Sequence, residues 1–227
     1  MIQIDFAEPE KGILNISKME IVWECIDSPR TEMRRCNFGE TWSATFADMP
    51  QGTNKYRFLV NGLFTLNDPD CNIYEFDENE KLWSAIVIDS NGNWLYNNEQ
   101  YNVNVESVKL LKDYRETSDE QTLIFSTYDT EHIVARYEFT NVTGVHTASV
   151  VWINPNGRIS AWAEEIITHT DGSNYVWFGL NTAGMEQSDS GEWRILLFID
   201  GRYVLLTNFF NVSCEKKKAI HSFNVII

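Results

Sequence analysis

The chain lacks a long apolar run, cysteines at ligand spacing and an excess of basic residues, and each absence removes a class of function. No stretch approaches the roughly 20 apolar residues that a membrane helix requires, so no membrane partner is expected. The opening Met1-Ile2-Gln3-Ile4-Asp5-Phe6 has neither the basic segment nor the apolar stretch of a signal peptide. A cytoplasmic location follows as the expectation, with export left open. Lys and Arg number 18 against 33 Asp and Glu, and the net charge of −15 repels phosphate backbones, so nucleic acid is not expected as a partner. The four cysteines, Cys25, Cys36, Cys71 and Cys214, form no CxxC pair. Free thiols in a reducing compartment are expected, and a Cys25–Cys36 bridge stays open for an exported protein. The four histidines, His132, His146, His169 and His221, show neither HxH nor HxxxH spacing, so no metal site and no cofactor is expected. There is no Gly-rich phosphate loop and no nucleophile elbow, and a non-catalytic role is expected.

What the chain does hold is aromatic residues, 8 Trp, 9 Tyr and 13 Phe, arranged in short bursts with period-2 alternation. Candidate strands in the first half are 18–25, 32–36, 41–47, 54–60, 63–66 and 83–88. Turn chemistry separates them: Asp27-Ser28-Pro29, Met49-Pro50-Gln51-Gly52, Asn61-Gly62 and Asn67-Asp68-Pro69-Asp70. Residues 91–121 are polar and read as a connector, with one alternation over Val103–Leu111 that either opens the next domain or pairs along its edge. Strand signals resume at 122–128, 133–140, 147–153, 159–167, 175–180, 193–199 and 202–211. Their short connections suggest antiparallel pairing throughout. The expected fold is all-β, two immunoglobulin-like (E-set type) β-sandwich domains in tandem, over 1–90 and 122–227. The tail from Ser213 to Ile227 is polar and then apolar, an edge strand or a loose end. The acidic segments 68–80 and 89–94 lack the EF-hand spacing and read as structural turns.

Residues 54–70 carry a more specific signal. Tyr56-Arg57-Phe58, Val60-Asn61-Gly62, Phe64 and Asp68-Pro69 follow one another as a strand, a turn, an aromatic and a second turn. This stretch, with Trp42–Phe46 and Met49–Gly52 before it and Trp83–Val87 after it, resembles the family 48 carbohydrate-binding modules over about residues 17–90. These include the glycogen-binding domain of the AMP-activated kinase β subunit. The resemblance implies an α-glucan partner held by Arg57, Phe64 and a polar residue at or near Ser84. The family's other platform aromatic has no counterpart in Ile26–Arg30.

Sugar rings need exposed aromatic planes flanked by hydrogen-bonding groups. Phe64 and Trp83 could supply the planes, and Arg57 and Asn61 the polar groups. Alternation puts Ile86 and Ile88 inward and Trp83 outward, and leaves Arg57 on the face opposite Tyr56 and Phe58. The alternative is that Phe64 and Trp83 fill the core. Trp42 and Trp193 read as core, and Trp162 and Trp177 have no assigned face. The leading functional expectation is non-catalytic α-glucan binding. A protein-interaction scaffold with a degenerate sugar site, acting through a protein partner or self-association, stands beside it. An accessory portion of a glycan-active enzyme is the third reading.

Overall fold

A computed structural model describes residues 1–10, 12–24, 30–36, 40–97, 101–115, 121–127, 129–168, 172–183 and 185–212. Cys25, His169, Cys214, His221 and the tail 213–227 lie outside the described residues. Among those described, the chain is all-β, with a single 3-10 turn at Gln187–Asp189 and no α-helix.

The first sandwich uses β1 (Ile2–Ala7), β2 (Met19–Trp23), β3 (Thr31–Glu32), β4 (Arg34–Arg35), β5 (Thr41–Phe46), β6 (Gly52–Val60), β7 (Phe64–Leu66), β8 (Tyr74–Phe76), β9 (Leu82–Ile88) and β10 (Trp94–Leu95). Its smaller sheet runs β1-β5-β4 and its larger one β10-β9-β6-β2-β3, with β7 beside β6 and β8 beside β9. Strand β1 shows the rule that builds it. Ile4 and Phe6 are buried while Gln3 and Asp5 are exposed, an apolar-in, polar-out alternation. Tyr56, Phe58, Ile21, Met19 and Ile86 share the opposing inner face, and each such side chain contributes about 1.5–3 kcal/mol by leaving water.

The second sandwich uses β11 (Asn102–Leu111), β12 (Ile124–Ser126), β13 (His132–Thr143), β14 (Val145–Ile153), β15 (Ile159–Thr168), β16 (Asn174–Asn181), β17 (Gly191–Ile199) and β18 (Arg202–Val212). One sheet is β11-β13-β16 and the other β12-β18-β17-β14-β15. The segment expected to connect the halves therefore contributes the ten-residue strand β11. This strand order, with Trp152 buried on β14, is the immunoglobulin arrangement. Pairing is not antiparallel throughout: β12 runs parallel to β18. The chain crosses from β11 to the other sheet and meets β18 at its edge, so no hairpin constrains its direction.

The apolar core divides unevenly. One cluster, including Trp152, Ile195 and Leu197, lies wholly inside the second sandwich. The other joins the first sandwich to Val151, Ile153, Leu196 and Phe198 of the second. Strands β14 and β17 are thus buried on both faces, and the second sheet of the second sandwich packs against the first sandwich.

Candidate functional site

The β6–β7 hairpin places the expected site. Asn61 and Gly62 take φ of 52° and 69°, and the Leu63 N–H donates to the Val60 carbonyl at 2.9 Å. Both central residues need the left-handed region, which is why Asn-Gly stands there. The Asn61 side chain is fully used. Its Oδ1 accepts from the Ser17 and Lys18 backbone N–H groups at 2.8 and 3.1 Å, and its Nδ2 donates to the Asn15 carbonyl at 2.8 Å. Asn61 pins the segment leading into β2.

The outward reading of Arg57 needs correction. Arg57 is 0% exposed and its Nη2 bonds Glu164 on β15 of the second sandwich. Ser149 on β14 donates to the same carboxylate at 3.2 Å. The Nε and Nη1 of Arg57 have no hydrogen-bond partner among the described residues, so Glu164 is what offsets the desolvation of this charge. The physical reason is that the face opposite Phe58 is covered by the second sandwich.

Phe64 is 1% exposed, not an open plane, and its ring lies 6.4 Å from that of Trp162. Ser84 is buried, accepts from the Asp68 N–H at 2.7 Å, and donates its own N–H to Asn67 Oδ1 at 3.1 Å. Trp83 does turn away from the inner face holding Ile86, yet it is half-buried. Its Nε1–H donates to Asp77 at 2.9 Å, and the Arg57 and Lys81 cations sit 6.0 and 5.8 Å from its ring. Arg57 and Trp83 stand on one face of β6 and β9, Ser84 and Phe64 on the face shared with Tyr56 and Val60, and none of the four is an open flat platform.

Sequence reasoning missed the use made of the second turn, Asn67–Asp70. Asn67 Nδ2 donates to Thr147 Oγ1 of β14 at 3.3 Å, and Arg202 donates to the Pro69 carbonyl at 3.3 Å and to Asp70 at 2.9 Å. Gly201 fits against this turn so closely that a Cβ there would stand 1.9 Å from the Asn67 carbonyl oxygen. Asp200 beside it accepts from the Thr147 N–H at 2.8 Å and pairs with His146 at 2.6 Å. Burial alone would depress the His146 imidazolium. The bond and charge of Asp200, with the Thr143 and Asn102 carbonyls, outweigh it and raise the pKa above the usual 6.5. On the other side, burial pushes Asp68 up from 3.8 to about 6, against the Tyr56 O–H donated at 2.7 Å and the Asp70 N–H. The available signal was the unbroken apolar runs Val150–Ile153 and Ile195–Ile199, which mark strands covered on both faces.

The acidic segments form turns at 68–71, 77–80 and 89–93, with the short strand β8 inside the first segment. Asp77 Oδ1 accepts from the Asn79 and Lys81 N–H groups and Asp89 Oδ1 from those of Asn91 and Asn93. Among the described residues no three His, Cys, Asp or Glu side chains cluster to hold a metal. Cys36 and Cys71 are free thiols. Among the described residues no helix is long and apolar enough to cross a membrane.

No protein-family model matches the chain, and no curated protein does. Among solved structures it is similar to an immunoglobulin-like protein from Pseudomonas aeruginosa, at 16% identity and a TM-score of 0.38, covering 50% of this chain and 98% of that one.

Proposed function

We propose that this chain is a non-catalytic protein-interaction module, in which Arg57 and Phe64 of the expected sugar site meet the second sandwich and not a ligand. The observation that carries this reading is Arg57, wholly buried and paired with Glu164 across the joint. A glucan chain lies along an open face, and here that face is occupied. The exposed aromatic and apolar side chains lie elsewhere, as with Tyr175 and Trp177 on β16 and Ile124 and Phe210 on β12 and β18. A joined pair of sandwiches presenting such surfaces suits binding to a protein partner.

The test is electrophoresis of the intact chain through a gel containing glycogen, with maltoheptaose titration of its tryptophan fluorescence. Unchanged mobility and unchanged emission are expected. A retardation that Trp83→Ala abolishes would restore the α-glucan reading, since Trp83 alone of the expected planes keeps part of its surface in solvent.

A further inference from the structure

A cleft of about 660 Å³ opens between the sandwiches on the side away from the Asn67 turn. One wall is the segment 12–17 and Leu63 at the hairpin tip; the other is the β14–β15 turn around Gly157 and Arg194 of β17. Its volume lies within the span of small-molecule sites. Three arginines, Arg35, Arg158 and Arg194, line it, and Glu8 is the one carboxylate among the lining residues.

Glu8 is already committed. Its Oε2 accepts from Arg35 at 2.8 Å and its Oε1 from the Trp42 indole at 2.5 Å. A guanidinium has five N–H donors. Arg35 gives a bond to Glu8, and Arg194 gives one to the Gly12 carbonyl at 2.9 Å. Arg158 is exposed, and its guanidinium makes no hydrogen bond or ion pair among the described residues. The Arg158 guanidinium thus stands at the cleft with its donors unused by the described residues. The lining carries more positive than negative charge within a chain whose net charge is −15. In so acidic a chain, a site that gathers three arginines around a single carboxylate stands out. Low-dielectric walls focus such a local field, so net charge does not decide what enters.

We propose that this cleft binds a small organic anion carrying at least two carboxylate or phosphate groups, gripped by Arg158, Arg194 and Arg35. Guanidinium forks match the paired oxygens of either group. Leu63, 56% exposed at the rim, and Ile13 and Ile159 offer apolar contact to the ligand's body. Because the walls belong to different sandwiches, a bound anion ties them together. This inference is independent of whether the chain binds a protein or a glucan.

The experiment is calorimetric titration of the intact chain with citrate and with pyrophosphate, at ionic strength held constant with chloride, plus melting curves in each. Saturable binding of at least one is expected, with a melting midpoint that rises with ligand. Citrate tighter than pyrophosphate assigns carboxylate, and the reverse order phosphate. Arg158→Gln, which removes no internal bond, should weaken binding by about tenfold or more while near-ultraviolet dichroism stays that of the parent. Arg202→Gln, outside the cleft, should bind as the parent does. The proposal is overturned if neither anion saturates by about 10 mM. It is equally overturned if Arg158→Gln binds like the parent, or if the melting shift follows ionic strength alone.

Discussion

Two sheet faces of this molecule look alike in sequence and differ in fate. On β6 and β9 of the first sandwich, Arg57 and Trp83 stand on the face opposite the inner aromatic residues. On β13 and β16 of the second, Arg136, Glu138, Tyr175 and Trp177 do the same. The first face is closed by the other sandwich, and Arg57 has no exposed surface at all. The second is open: Tyr175 and Trp177 are 45% and 41% exposed, Arg136 sits 5.7 Å from the Tyr175 ring, and Glu138 accepts from Ser107, Ser173 and Tyr175. An alternating strand says which residues share a face. It does not say whether another sheet will cover that face.

Substitution of one aromatic on each half should separate the two cases most sharply. Phe64→Ala should cost about 3–5 kcal/mol in urea unfolding, since it empties a site shared between the sandwiches. Trp177→Ala should shift stability by less than about 1 kcal/mol, as an exposed residue does. Equal costs would break the comparison.

Titration of the joint should come next in size. Asp68 has its folded pKa raised to about 6, so its contribution is full below 3.8 and is lost as pH rises through 6. His146 is also raised, so its contribution is full below 6.5 and is lost above that, past its folded pKa. Both signs agree: these two groups favour the folded state at about pH 5 over about pH 8, with Asp68 supplying about 1.4 kcal/mol of the difference and reaching its full contribution of about 3 kcal/mol only below pH 3.8. Asp68→Asn should flatten the lower part of the stability–pH curve and His146→Gln the upper part. A stability that rises across that window and is indifferent to both substitutions would contradict the assignment.

Gly201→Ala follows, at about 2 kcal/mol, because the new methyl meets the Asn67 carbonyl in a backbone with φ of 86°. Its urea-unfolding cost is the check, and near-parental stability would mean that the two turns are not in contact.

The strands themselves were largely legible. Alternation and turns locate the observed β2, β5, β6, β7, β9 and β13 to β18 to within a few residues, because one face of each must be apolar. Strand β1 alternates cleanly, but it is a six-residue segment with no turn signal on its N-terminal side to mark it as a strand. The short strands β8 and β10 have three and two residues and leave no periodic trace. Arg57 and Trp83 share one face of β6 and β9, while Ser84 pairs with Tyr56 and Phe64 with Val60 on the other. What the hairpin motif could not convey is that Glu164, over a hundred positions away, arrives to occupy Arg57. The hint lay in the other half: Val150-Val151-Trp152-Ile153 has no polar residue to face water, so its second face had to be covered by something.

The claim that joins these observations is that β6 of the first sandwich is held against β15 of the second through one buried ion pair. A double-mutant cycle on Arg57→Met and Glu164→Gln, read by urea unfolding of the intact chain, measures that coupling alone. Each single change should be costly because it strands a buried polar partner, and the pair should show a coupling of about 2 kcal/mol. Strictly additive effects, within about 0.3 kcal/mol, would mean that the two side chains do not meet and that the face of β6 is open.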